Sequence, residues 1–443
     1  MVTVLLFILG VLFVAVGIAV SIALHEIGHL LPAKLFNVRV TKYMIGFGPT
    51  IWSKRKGETE YGFKAIPAGG FVSMIGMYPP NSTDGSVRPS STGMFQTLAT
   101  EARSLAHEEV GPGDEHRVFY RLPVWKKIII MLGGPFMNLL IGVVLTGVLL
   151  MGFGTPQPTT TIADVSACQV KYGDPAPTDL STCAKTPAAA AGLKPGDVIT
   201  GFDGKQVTDW NQLTSWIRAS AGKQVPITIK RGDAVLTKTI TPVLTARPVL
   251  DQNGQTVLDA KGAAVTQPVG FVGVGSTSAM VPQPAAAVLP AVGDSIAKIS
   301  GVVFHLPQKV AAVGQAAFSS APRDPNGPIS VVGVGRVAGE VAAMDQVPLS
   351  ARIATLVGLV GGVNLALCIF NLIPLLPLDG GHVAGALYEA GRRRVAKLFG
   401  RKDPGPFDIA KLLPVTYVVA SLLMVMGALL MYADIVKPIN IFG

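Results

Sequence analysis

Four stretches of this chain carry no Lys, Arg, Asp or Glu across the thickness of a bilayer: residues 1–24, 128–153, 353–378 and 412–433, each dominated by Leu, Ile, Val and Met. At 1.5 Å of rise per residue, roughly 20 residues cross a hydrocarbon core about 30 Å thick, so each stretch is long enough to span as a helix. Inside a bilayer only helices and closed barrels satisfy every backbone polar group, which leaves few folds open. Composition agrees: 14% of the 443 residues are charged and the mean hydropathy is +0.47, which excludes an ordinary soluble enzyme. Residues 262–293 are also uncharged but are broken by Pro, Gln, Ser and Thr, and are read as non-spanning.

The first stretch opens where a secretory signal would, yet it lacks a basic leader and a small-residue cleavage pattern and runs straight into His25, so it is expected to be retained. Basic residues orient the spans. Lys54, Arg55, Lys56, Arg121, Lys126 and Lys127 lie between the first two, and Arg392, Arg393, Arg394, Lys397, Arg401 and Lys402 between the last two. By the positive-inside rule both connections are expected to be cytoplasmic, which puts the termini and everything between the second and third spans outside. The net charge of +10 then reads as a topology signal. No nucleic-acid partner is expected, because the basic patches sit at membrane edges without interleaved aromatic residues. Cys168 and Cys183 fall on the outer side, where an oxidising exterior permits a bridge contributing about 3 kcal/mol; Cys368 lies within the third span.

His25-Glu26-Ile27-Gly28-His29 closes the first span as an HExxH sequence. On a helix, positions i and i+4 share a face, so both imidazoles can meet one zinc ion while Glu26 stands beside it as a base. Zinc takes a third protein ligand and keeps an open position for water, whose pKa it lowers towards 7. Three ionisable residues within five, in a membrane helix, are costly unless ligated, paired or functional. The third ligand is sought at matching depth, where the third span ends in Asn371-Leu372-Ile373-Pro374-Leu375-Leu376-Pro377-Leu378-Asp379-Gly380-Gly381-His382. Asp379 is preferred, with Pro374 and Pro377 breaking the helix around it. His382, beyond the two glycines and nearer the basic loop, is the competitor.

These segments together resemble the site-2 protease family, intramembrane zinc metalloproteases. Phe47-Gly48-Pro49, the run from Tyr61 through Gly69-Gly70-Phe71, and Gly133-Gly134-Pro135-Phe136-Met137-Asn138 strengthen the resemblance. It implies one zinc per chain held by His25, His29 and Asp379, with Glu26 as catalytic base and Asn371 near the scissile bond. It implies a multi-pass plasma-membrane protein with the active site towards the cytoplasm. The cysteine-bearing outer loop is most similar to actinobacterial members that cleave membrane-bound anti-sigma factors. The implied substrate is therefore a single-pass membrane protein already trimmed by a site-1 protease.

The expected fold is an α-helical polytopic membrane protein with four transmembrane helices, a membrane-associated β-hairpin and an inserted extracytoplasmic PDZ-like β-rich domain. Residues 1–36 hold the first span. Residues 37–127 are cytoplasmic, with the hairpin at about 61–74 and a Ser-, Gly-, Pro- and acid-rich insertion at 79–115; its His107, and His116 just after it, lack partners at ligand spacing. The hairpin resembles one that in the family dips into the membrane with an edge strand able to pair with substrate, which implies Phe63, Ala65, Gly69 and Gly70 as candidate substrate contacts. The chemistry agrees, because a helix hides its carbonyls, so cleavage needs local unwinding, and strand addition holds the extended form. A purely structural hairpin is the alternative. The second span, 128–153, leads to a Cys loop at 154–186. The PDZ-like domain at 187–245 shows Gly192-Leu193-Lys194-Pro195-Gly196-Asp197, an amphipathic stretch from Trp210 to Ala219 and a strand at 225–229. It either binds an extended peptide or C-terminus or serves as a spacer. A linker with an amphipathic helix (297–318) fills 246–352, followed by the third span with its LDG motif (353–382), a basic loop (383–411), the fourth span (412–433) and an outer tail (434–443).

Two other functions fit parts of the pattern. A metal transporter or sensor would use the same ligands without hydrolysis, although transport sites are usually built between repeats and none is visible. A silent scaffold would act through the PDZ-like domain alone.

Overall fold

The first apolar stretch adopts the conformation that hides its backbone from lipid: helix α1, Val2–Leu35. The computed structural model describes residues 2–79, 110–170, 183–249, 256–259, 263–320, 323–324 and 327–439. After α1 come two long strands, β1 (Val40–Lys56) and β2 (Thr59–Met74), then α2 (Val124–Gly147), which continues as a π-helical segment, Val148–Phe153. Next are β3 (Thr155–Val165), β4 (Val198–Phe202), β5 (Lys205–Gln206), α3 (Trp210–Ala219), β6 (Val225–Arg231), β7 (Ala234–Ile240), β8 (Val243–Pro248), β9 (Thr266–Phe271) and β10 (Val274–Val281). Helices α4 (Val288–Phe304), α5 (Leu306–Phe318), α6 (Val331–Ala343), α7 (Leu349–Asn371), α8 (Asp379–Leu398) and α9 (Leu413–Val436) complete the chain. It divides into two compact units, 1–153 with 284–443, and 154–283.

In the helical unit α1 packs against α2, α6 and α7. Val14, Val334, Ala338, Leu356 and Val360 form one buried cluster. Lipid tails are as apolar as Leu, so close packing at small residues must hold such helices together. Gly17 faces Val360, and Gly142 faces Leu365.

Among the described residues five helices are long and apolar enough to cross a membrane, one more than the four uncharged runs predict. The additional one, Ala285–Phe304, is interrupted by the exposed Asp294 and Lys298, so a charge-free criterion passes over it. Its apolar face, with Val288 and Val292, packs with Leu365 of α7. The amphipathic helix expected over 297–318 is in fact parts of two helices, α4 and α5, because His305 leaves helical geometry and Pro307 starts a new first turn. Val313 and Ala317 of α5 pack on Leu430 and Ala433 of α9. Helix α9 runs on to Val436, so Asp434 is not part of a tail. It is buried, lies 2.5 Å from Arg323 and accepts a 2.6 Å hydrogen bond from the Ser330 amide.

The stretch 61–74 belongs to one long strand rather than a short hairpin, and its partner is β1, which the sequence reading leaves unassigned. Lys42, Tyr43, Met44 and Ile45 each face two partners, one in 60–63 and one in 70–73. The two strands thus bend into a four-segment sheet with 42–45 inside and 70–74 at an edge. Gly46 and Gly48, at φ +94° and +84°, supply the left-handed backbone at the bend. At the far end, Arg117 bonds Glu58 at 2.8 Å and Asp114 at 3.3 Å. Most of the insertion at 79–115, with His107, lies outside the described residues.

Unit 154–283 is built on a sheet ordered β10-β3-β4-β6-β7, with β5 on β4 and a separate β8–β9 ribbon. Ile162, Ile199, Phe202, Leu213, Ile217, Ile227 and Ile229 form its core. Alternation in β6 buries Val225, Ile227 and Ile229 on one face, and Asp209 caps α3 by accepting from the Gln212 amide at 2.8 Å. Cys168 and Cys183 are joined in a disulfide with Cα atoms 5.5 Å apart, within the usual range. Buried Asp197 accepts from the Lys194 amide at 2.8 Å and pairs with Arg231 at 2.7 Å.

The Arg231 guanidinium holds the Asp197 carboxyl below the ordinary carboxylate range. Arg231→Met should destabilise this unit by about 1–3 kcal/mol, the range for losing a hydrogen bond to a charged group and leaving a buried acceptor short of partners. Because pairing depresses the folded-state pKa, the contribution is complete above the ordinary Asp value near 3.9 and fades as pH falls through the lower folded value. Hydrogen exchange at the β4 and β6 amides of the full-length protein checks this. Protection unchanged by Arg231→Met at neutral pH would contradict it.

Candidate metal centre

The centre is assembled from three helices. His25, Glu26 and His29 occupy the last third of α1, with the two imidazoles one turn apart on one face. Asp379 is the first residue of α8 and follows the non-helical segment 372–378. Its placement depends on Gly380 and Gly381. A Cβ at Gly380 would strike the Leu372 and Ile373 carbonyls, and one at Gly381 would come within 2.6 Å of the Leu376 nitrogen. Helix α8 is pinned to α2 by a buried pair, with Lys127 Nζ 2.9 Å from Glu389 Oε2. Glu389 also accepts from the Phe407 amide at 3.0 Å and pairs with Arg393 at 3.1 Å.

His25 Nε2 and His29 Nε2 lie 3.2 Å apart, and each is 3.4 Å from Asp379 Oδ2. Zinc bound tetrahedrally through arms of about 2.0–2.1 Å separates its ligand atoms by about 3.3–3.4 Å, so the three donors already have the spacing the ion requires. Asp379 Oδ2 is buried with no hydrogen-bond partner among the described residues, as a ligand oxygen aimed at a cation would be. These three residues form the one group of potential metal ligands among the described residues. His382 is not part of it.

Helix α2 supplies the surroundings. It crosses α1 where Gly28 and Gly133 touch; a Cβ on either would strike the other's backbone. That contact brings the Ile130 carbonyl to 2.7 Å from His29 Nδ1 and Asn138 to 3.0 Å from His25 Nδ1. The strand pair closes another side. Tyr43 donates to the Ala23 carbonyl at 2.8 Å, and Gly70 of β2 sits so near Glu26 that a Cβ there would lie 2.8 Å from its Cγ.

The other predicted contact residues are spread more widely. Gly69, at φ +125°, neighbours the Phe47 ring; exposed Phe63 lies 6.0 Å from Trp52, centroid to centroid; Ala65 is exposed. Asn371 ends α7, half-buried. Lys127, read from the sequence only as a topology signal, is paired with Glu389, a partner 262 positions away that no local signal announces. Asn138 did carry one, as a carboxamide inside an apolar helix.

Gly134 is the sharpest test of this geometry. A Cβ there would press on His29 Nε2 and lie 2.6 Å from His25 Nε2, both rigid ring atoms. Gly134→Ala should therefore weaken zinc binding at least about tenfold, as misplaced ligand surroundings do. Gly152→Ala, with nothing within 4 Å of its Cβ, should leave it unchanged. Chelator competition on the purified protein measures both; equal affinities would contradict the geometry.

A sequence profile for peptidase family M50 matches residues 13–402. The zinc metalloprotease Rip1 of Mycobacterium tuberculosis is 33% identical over 444 residues, covering 99% of this chain and 100% of the relative. Rip1 of Mycolicibacterium smegmatis is 32% identical over 453 residues, covering 98% and 99%. The metalloprotease MmpA of Caulobacter vibrioides is 26% identical over 399 residues, covering 88% of each chain. With this match across most of its length, the chain belongs to peptidase family M50, the site-2 protease family of membrane zinc metalloproteases.

Proposed function

We propose that His25, His29 and Asp379 hold the zinc ion of this membrane metalloprotease, that Glu26 is its general base, and that the edge of β2 beside Gly70 receives the substrate as an added strand. The spacing of the three ligand atoms, 3.2 and 3.4 Å, carries the reading. Bound zinc supplies Lewis acidity, polarising the scissile carbonyl and making water acidic enough to react at neutral pH. Glu26, adjacent to His25 and 8% exposed, accepts the proton lost by the attacking water and passes it to the nitrogen of the leaving amine. The peptide bond breaks, giving a carboxylate and an amine.

A transmembrane helix keeps its carbonyls in i to i−4 hydrogen bonds, so the substrate must unwind before it reacts. An extended segment along 70–74 would regain main-chain hydrogen bonds from the strand edge. Gly69 adjoins that edge, Phe63 and Ala65 would contact the substrate from the inner segment and bend of the same strand rather than along its edge, and Asn371 acts from the end of α7. The substrate is a single-pass membrane protein, an anti-sigma factor trimmed beforehand by a site-1 protease being the class the resemblance implies. The charge distribution supports an orientation with 383–411 and the hairpin in the cytoplasm and unit 154–283 outside. Within it the segment 187–245, read as PDZ-like from its sequence, binds an extended peptide or C-terminus or only excludes bulky substrates.

Glu26→Gln should retain zinc and lose about 10²–10⁴-fold in cleavage rate of a helical membrane substrate. Asp379→Asn should lose zinc as well as activity. Product analysis and zinc content of the purified variants check this, and undiminished cleavage by Glu26→Gln would sink the mechanism.

A further inference from the structure

Asn138 lies on α2 one turn beyond Gly134 and is 1% exposed. The nitrogen end of its carboxamide sits 3.0 Å from His25 Nδ1, while Oδ1 is buried with no hydrogen-bond partner among the described residues. The two ends of a carboxamide are interchanged by a half-turn, and the hydrogen-bond network decides which faces a neighbour. Here the network is constrained by the metal. Nε2 of His25 faces His29 Nε2 and Asp379 Oδ2, so it is the ligand atom and bears no proton. A neutral imidazole carries one proton, which must then be on Nδ1, making Nδ1 a donor. An amide NH₂ at 3.0 Å would set donor against donor.

His29 shows the same logic without ambiguity. Its Nδ1 lies 2.7 Å from the Ile130 carbonyl, which can only accept, so that ring too is held with Nδ1–H and a free Nε2. Positions 130 and 138 are eight residues apart, a little over two turns, and so share one face of α2. That face thus meets both zinc-facing imidazoles.

We propose that Asn138 is a positioning residue: its Oδ1 accepts the Nδ1–H of His25, locking the tautomer and ring angle that leave Nε2 free for zinc. The inference rests on the reading of His25 as a zinc ligand. It assigns the orphaned oxygen a partner and gives each imidazole one acceptor from α2.

The test is zinc affinity by chelator competition on the full-length protein in detergent. Asn138→Asp keeps an acceptor and removes every donor, whereas Asn138→Leu keeps the size and removes both. Asn138→Asp should bind zinc as tightly as the native protein or more tightly, and Asn138→Leu should lose about 10–100-fold, the usual effect of removing such a partner. A loss in Asn138→Asp equal to or larger than that in Asn138→Leu would show that the NH₂ is what matters and would overturn the proposal, as would native affinity in Asn138→Leu. If Asn138→Leu does not fold, the Asp variant decides alone: native or tighter binding supports the proposal, weaker binding overturns it. His25→Ala separates the two levels of inference. Native zinc affinity in His25→Ala would remove the ligand reading itself, whereas loss there with native affinity in Asn138→Leu would remove only the role of Asn138.

Discussion

The contact between Gly28 and Gly133 is the constraint from which the centre follows. At that crossing a single added carbon on either residue would collide with the other's backbone. In lipid no hydrophobic force draws two apolar helices together, so close approach at small residues has to supply the attraction. Here it also sets the chemistry. Only with α2 this near can the Ile130 carbonyl and Asn138 reach the far sides of His29 and His25, and only a glycine at 134 leaves room for the two imidazoles. A leucine-faced crossing would separate the axes by several ångströms more and leave both rings without partners.

Asp379 arrives from the other end of the chain, and its position is secured by different means. The glycine pair at 380–381 lets the first turn of α8 fold tightly against 372–376, and Lys127 with Glu389 fixes α8 to α2 further along. A buried ion pair adds little net stability, but removing one partner strands a charge and costs about 3–5 kcal/mol, so such a pair acts as a geometric pin. Arg323 with Asp434 is a second instance, tying the segment before α6 to the end of α9. The ionisable groups buried in the helical unit are thus grouped in sites rather than scattered.

What could be read in the sequence was whatever a local pattern encodes. The i, i+4 spacing of His25 and His29 places both on one helix face whatever the tertiary structure, and matching depth at the end of a span singled out Asp379 over His382. The helix Ala285–Phe304 escaped because Asp294 and Lys298 break a charge-free run while leaving its apolar face intact. The sheet was half legible. Alternation marked 61–74, but β1 pairs with two separate parts of β2 around left-handed glycines, a register no local window contains. The pairing of Lys127 with Glu389 was invisible for the same reason, since a contact across 262 positions leaves no trace in either neighbourhood.

The central claim is that two imidazoles and one carboxylate, set by these helix contacts, hold a tetrahedral zinc ion. X-ray absorption at the zinc edge of the purified full-length protein measures this directly. The account predicts four light-atom neighbours at about 2.0–2.2 Å with the multiple-scattering signature of two imidazoles. Sulfur at about 2.3 Å, six-fold coordination, or an imidazole signal that survives replacement of both His25 and His29 would contradict it.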